Sequence, residues 1–151
     1  MITELCVSGV NAIVKSEERL QQIRSLFDLD GITVFSDRGN RLVCRNGNYM
    51  AEAPDGRPGF EDEGYLSLFG DDDIFVESNM IKLRSQNPAA YAVAQEQEIG
   101  AALQCLSRKE GIPYTMVNFE VFNRNRKWSD EDVTLLTLLG HCIGDLLNYS
   151  E

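Results

Sequence analysis

Covalent chemistry has few candidates in this chain of 151 residues, which carries one histidine and four cysteines. His141 has no cysteine or carboxylate at ligand spacing, so metal ligation, haem ligation and general-base work lack local partners. It reads as a solvent-exposed or interface histidine. Cys6, Cys44, Cys105 and Cys142 lie far apart, form no CxxC pair and sit in apolar contexts. They read as four buried, reduced thiols. A reactive thiolate needs an electropositive, partly exposed setting, and Cys44, between Val43 and Arg45, meets that only faintly. Asp71, Asp72 and Asp73, with Glu61, Asp62 and Glu63 nearby, offer oxygens to a hard cation without EF-hand spacing, and a solvated loop is the default reading.

Binding chemistry is better represented. From Tyr114 to Phe122, Met116, Asn118 and Glu120 alternate with Val117, Phe119 and Val121, so one strand face packs on a core and the other is more polar. The apolar run Ile99 to Ser107 precedes it across Lys109-Glu110-Gly111. A three-residue turn there pairs Arg108 with Ile112 and sets Gln104 opposite Met116 and Ala102 opposite Asn118. Gln104, Met116, Asn118 and Glu120 then share the face opposite Leu103, Val117 and Phe119, and Phe75 completes the candidate ligand-binding set. A one-residue slip would swap the faces of one strand relative to the other. The competing reading is a solvated or loop-covered face. Cys105 falls with Leu103 and reads as core.

The elements that hold these residues follow from pattern. Leu5, Cys6, Val10, Ile13 and Val14 recur at helical spacing, Ser16 reads as an N-cap, and Leu20, Ile23 and Phe27 continue a stripe: a helical segment over 1–27, whole or broken. Ile32 to Phe35 and Leu42 to Cys44 make a hairpin around turn residues. Residues 46–73 read as irregular, with an apolar island from Tyr65 to Phe69. Ile74-Phe75-Val76 is a short strand, and Asn87 caps a helix opening at Pro88 and running to Glu98. The last helix, over 128–149, starts at Ser129 with Asp132 three residues on. Its apolar arc, which includes Leu135, Leu138 and Cys142, spans about 220°, against the roughly 100° stripe that one packing surface requires. Something besides the sheet must cover it, and a second copy of the helix predicts a homodimer.

One ordinary domain over 1–151 fits this length. The net charge of -10 disfavours nucleic acid and anionic membrane surface as partners. No apolar run approaches a membrane span and the N-terminus lacks a basic secretory n-region, which predicts a cytoplasmic protein.

Phe119-Glu120-Val121-Phe122, then Arg126-Lys127-Trp128-Ser129-Asp130-Glu131-Asp132-Val133 and the Leu-rich helix, resemble the close of a GAF domain. The paired strands before them and the N-terminal helix followed by Gly31 to Phe35 agree. The resemblance implies an α+β fold: a GAF-like (PAS-related) antiparallel sheet of about five or six strands with the N- and C-terminal helices packed on one face. It implies a ligand on the opposite face, of unspecified identity and with no cofactor named. It further implies a parallel dimer and an attached output domain, possibly GGDEF and hence cyclic di-GMP signalling, since Arg-x-Trp-Ser is similar to GAF domains placed ahead of GGDEF. The expected function is regulatory: small-molecule sensing or dimerisation in signal transduction, not catalysis. Two alternatives stand beside it. One is a redox enzyme of the free methionine sulfoxide reductase type using Cys44 or Cys105, although 46–73 holds no cysteine. The other is a cyclic-nucleotide-binding GAF domain, where Asn123, Arg124, Trp128 and Asp132 match the family signature in part and Val133 replaces its final Glu. An Arg124–Asp132 ion pair clamping loop to helix accounts for what remains of that signature. Bilin attachment lacks its cysteine neighbourhood.

Overall fold

The computed structural model describes residues 16–36, 41–45, 48–52 and 62–150. In chain order these form helix α1 (Ser16–Leu26), strands β1 (Gly31–Ser36), β2 (Arg41–Arg45) and β3 (Asn48–Glu52), and a short helix α2 (Glu63–Leu66). Then come β4 (Ile74–Glu77), a 3-10 turn (Met80–Lys82), α3 (Leu83–Gln86), α4 (Pro88–Glu96), β5 (Ile99–Lys109), β6 (Ile112–Phe122) and α5 (Asp130–Ser150). The strands make one antiparallel sheet in the order β3-β2-β1-β6-β5-β4.

The β5–β6 ribbon is the centre of the sheet. Glu110 (φ 55°) and Gly111 (φ 82°) turn it in two residues, both in the left-handed region that two-residue hairpins demand. Lys109 therefore pairs with Ile112, an irregularity at Ser107/Arg108 shifts the register by one more residue, and another at Ile99/Ala101 shifts it back. Gln104 lies opposite Asn118 and Ala102 opposite Glu120, not opposite Met116 and Asn118 as a three-residue turn would give. The shift is two residues, so every side chain keeps its expected face.

One face carries the terminal helices. Leu20 and Ile23 of α1, Phe27 just beyond its end, and Leu136, Leu139 and Ile143 of α5 pack with Ile32, Val34, Leu103, Cys105, Val117, Phe119 and Val121. Each fully enclosed leucine here contributes roughly 1.5–3 kcal/mol. Helix α5 starts as the sequence predicts: the Asp132 amide donates to Ser129 Oγ at 3.0 Å and the Ser129 amide donates back to Asp132 Oδ2 at 3.2 Å. Gly140 and Gly144 let the helix lie close to the sheet. A Cβ on Gly140 would stand 2.7 Å from Cys105 Sγ, and one on Gly144 would stand 2.5 Å from both Ser107 Oγ and Thr115 Oγ1. Against the other face pack Tyr65, Leu66, Leu68, Phe69, Met80, Leu83 and Ala94, meeting Phe75, Ala102, Leu106 and Met116. The helix at Pro88 is capped by Asn87 Oδ1, which accepts from the Ala90 amide at 3.1 Å, and ends at Glu96.

Several expectations need correction. Strand β3 occupies part of the stretch expected to be irregular, and α2, the 3-10 turn and α3 add short helical pieces. Asp132 pairs with Arg126 at 3.2 Å, whereas Arg124 reaches Asp30 at 3.6 Å and Asp28 at 3.7 Å. Leu135 is half-buried and packs on the chain's own core, while Leu138 is 48% exposed. Cys142 is half-buried and held in a disulfide, so it is not a reduced thiol. The segment 1–15 lies outside the described residues. Among them no helix is long and apolar enough to cross a membrane.

Candidate ligand-binding site

Strand alternation brings the five predicted residues, Gln104, Met116, Asn118, Glu120 and Phe75, to the sheet face opposite the terminal helices. Two rows cross the strands there. In one, Thr33, Asn118, Gln104 and Phe75 are directly opposed across β1, β6, β5 and β4. In the next, Gly31, Glu120, Ala102 and Glu77 are opposed in the same strand order. Met116 and Leu106 pair on the far side of the first row and give it an apolar flank. The polar members are interior: Asn118 is 6% exposed, Gln104 9% and Glu120 2%.

Buried polar groups need partners, because an unmade hydrogen bond costs about 1–3 kcal/mol. Thr33 Oγ1 donates to Glu120 Oε1 at 3.2 Å. Glu77 Oε2 accepts from the Asn79 amide at 3.1 Å and lies 3.9 Å from Lys82 Nζ. Gln104 Oε1 accepts from the Tyr65 hydroxyl at 2.5 Å, and that hydroxyl also stands 3.7 Å from Met116 Sδ. Asn118 Oδ1 is enclosed and has no hydrogen-bond partner among the described residues. The site thus has one acceptor satisfied from above by the chain and its neighbour left open.

Tyr65 comes from α2, which holds its own ends: Asp62 Oδ1 accepts from the Tyr65 amide and the Ser67 hydroxyl donates to the Gly64 carbonyl. By area Tyr65 is half-buried, yet its phenol tip is enclosed. Burial pushes the phenol well above its ordinary pKa; the Gln104 hydrogen bond opposes this and the Glu120 carboxylate adds to it. The hydroxyl is therefore a donor at every physiological pH. Its ring tilts against Phe69 at 5.7 Å between centroids, and Phe69 against Phe75 at 6.1 Å.

Thr33, Tyr65 and Glu77 belong to this face and were not among the residues predicted. Thr33 could have been found from the alternation of β1, where it stands between Ile32 and Val34. Tyr65 gave no periodic signal, because its helix has a single turn.

Other candidates fall elsewhere. Cys105 is 1% exposed on the helix-bearing face, and burial pushes its thiol up to about 12, so a thiolate is disfavoured there. His141 is half-buried on the same side, its Nδ1 3.4 Å from Ser107 Oγ. Arg126, Trp128 and Asp132 build a latch at one end of the sheet, and Arg124 pairs beside it with Asp28 and Asp30. Arg126 donates to the Phe27 and Asp28 carbonyls and pairs with Asp132, its guanidinium 4.6 Å above the Trp128 ring. Trp128 Nε1 donates to the Glu77 carbonyl at 3.0 Å. This latch accounts for those residues without a nucleotide. Among the described residues, no group of three or more His, Cys, Asp or Glu is placed to hold a metal ion.

An antiparallel sheet with both flanking helices on one face and short helices over the other is an α+β arrangement that solved structures share. Solved structures name it as the GAF fold. The chain superposes on a red/green cyanobacteriochrome in its red light-absorbing state with a TM-score of 0.61 and 15% identity, covering 91% of this chain and 93% of that one. The blue light-absorbing form of the Thermosynechococcus elongatus PixJ GAF domain gives 0.60 and 11%, with coverage of 92% and 88%. The GAF domain region of a Geobacter sulfurreducens protein gives 0.59 and 16%, with coverage of 89% and 91%. No family model matches the sequence, and no curated protein matches it.

Proposed function

We propose that the chain is a regulatory GAF domain that senses a small molecule on the β5–β6 face and catalyses no reaction itself. The observation that carries this reading is Asn118: an interior amide oxygen, unpartnered among the described residues, beside Gln104 and Glu120 on the face opposite the terminal helices. A buried polar group kept at that cost is explained by a ligand that satisfies it.

The rest of the reading extends the family resemblance. Residues 1–151 act as one cytoplasmic domain of a longer signalling protein, and α5 leads toward an output domain, GGDEF being the type that Arg126-Lys127-Trp128-Ser129 suggests. Leu138, exposed on α5, marks the side on which a second copy associates. Leu135 and Cys142 stand at its margin.

Native mass spectrometry of gently purified protein tests the sensing claim. The expected result is a retained small-molecule mass that disappears in Asn118→Leu and Gln104→Leu. A bound mass indifferent to both substitutions would place the ligand elsewhere and overturn the assignment.

A further inference from the structure

The sheet face already holds an aromatic molecule of a kind, and it belongs to the chain. The Tyr65 side chain enters from a single-turn helix, lays its ring beside Phe69, and ends with its hydroxyl on Gln104 Oε1 and near Met116 Sδ. What the face accepts from its own chain is a phenol: a flat apolar body and one O–H donor. Directly across the ribbon, Asn118 Oδ1 waits for a second donor. Cross-strand neighbours have Cβ atoms about 4.5–5.5 Å apart, within the reach of one substituted ring. The helix that supplies Tyr65 has four residues and caps itself. A helix so short has no stability of its own, so it is held by the packing of Tyr65 and its neighbours Leu66, Leu68 and Phe69 on the face, and a replacement ring restores the Tyr65 share of those contacts.

We propose that small hydroxyaromatic molecules bind this face by displacing the Tyr65 phenol, their hydroxyl donating to Gln104 and a second donor reaching Asn118. The proposal rests on the sensing reading above and names the ligand class for it. Tyr65 is then an internal competitor that sets the concentration at which the site responds. Displacement also frees α2, so occupancy is reported as exposure of residues 63–69.

Three probes test this on the full chain: p-cresol, toluene and 5-methylresorcinol. In wild type, p-cresol is expected to bind and to speed amide hydrogen exchange across residues 63–69. Tyr65→Ala should bind p-cresol about ten-fold tighter or more, because the competitor is gone. In that variant toluene should bind about five- to ten-fold more weakly than p-cresol, the margin of one buried hydrogen bond, and Gln104→Leu should erase the margin. The advantage of 5-methylresorcinol over p-cresol should vanish in Asn118→Leu. If Tyr65→Ala does not fold, Tyr65→Phe keeps the ring, frees Gln104 and should raise wild-type p-cresol affinity several-fold. Equal binding of toluene and p-cresol, or no protein response to p-cresol at millimolar concentration, overturns the proposal. If a non-aromatic mass is retained and depends on Gln104 and Asn118, the hydroxyaromatic class falls and the sensing reading survives.

Discussion

Asn118, Asp132 and Cys105 each make a different claim about a single side chain. Leucine at position 118 has the branching and heavy-atom count of asparagine and no orphaned oxygen. Asn118→Leu should therefore stabilise the unliganded domain by about 1 kcal/mol, read as a higher urea midpoint at unchanged slope. A loss of stability would mean that the amide is satisfied and is not kept for a ligand. For Asp132, partial burial alone would raise the carboxyl, but the Ser129 amide, the Arg126 guanidinium and the Ser129 hydroxyl outweigh it and hold it below the ordinary range. A folded-state pKa below the unfolded one contributes stability above the unfolded value of about 4 that is lost as pH falls through the folded value. Asp132→Ala should cost about 1–2 kcal/mol at pH 7, and its denaturation curve should converge on wild type only as pH falls below the folded-state value. Cys105, with its thiol pushed up to about 12, should react with an aromatic disulfide reagent only after unfolding. Rapid labelling of native protein at that position would revive the redox-enzyme reading. The polar set was legible in sequence because Asn118 and Glu120 break an apolar alternation that one face cannot tolerate. Tyr65 was not, since nothing local says that a one-turn helix folds back over a sheet.

At the level of elements, α5 and the β5–β6 ribbon were readable because each carries its own boundary signal. Ser129 and Asp132 form a reciprocal cap, and Glu110-Gly111 supplies left-handed turn residues. The register was misread because the turn takes two residues instead of three and the bulge at Ser107/Arg108 is invisible in sequence, and the two-residue error left the faces intact. Strand β3 was missed because Asn48-Tyr49-Met50-Ala51-Glu52 has no β-branched run and is made a strand by pairing with β2. The ion-pair partner of Asp132 was misassigned because Arg124 and Arg126 are two residues apart, and only the loop's path decides which one meets the helix. The glycine seat of α5 gives a sharp test. Gly140→Ala and Gly144→Ala gain helix propensity of up to about 1 kcal/mol but drive a methyl into Cys105 or into the Ser107–Thr115 hydroxyl pair. Each should lose about 1–3 kcal/mol net, read in thermal melts, and Cys105→Ala should relieve Gly140→Ala only in part, because the Cys105 Cβ itself lies 2.8 Å from the new methyl, and should not relieve Gly144→Ala.

The whole molecule is a sheet with unlike faces, helical packing on one side and a capped polar floor on the other. The single exposed leucine described on α5 makes self-association a question of one substitution. Wild type should sediment as a dimer at high micromolar concentration, and Leu138→Lys should shift it toward monomer. Monomer alone in both would remove the dimer from the proposal.

Gln104 and Cys105 are consecutive, so one looks onto the polar floor and the other onto Gly140. The floor and the long terminal helix are separated by the thickness of a single strand. Prying Gln104 and Asn118 apart, or drawing them together, must change the curvature of the ribbon on which α5 rests. Where Gly140 and Gly144 meet the strands no side chain intervenes to absorb that bend, so the expected response is a tilt of the helix as a stiff rod, its far end travelling farther than the strands that moved it.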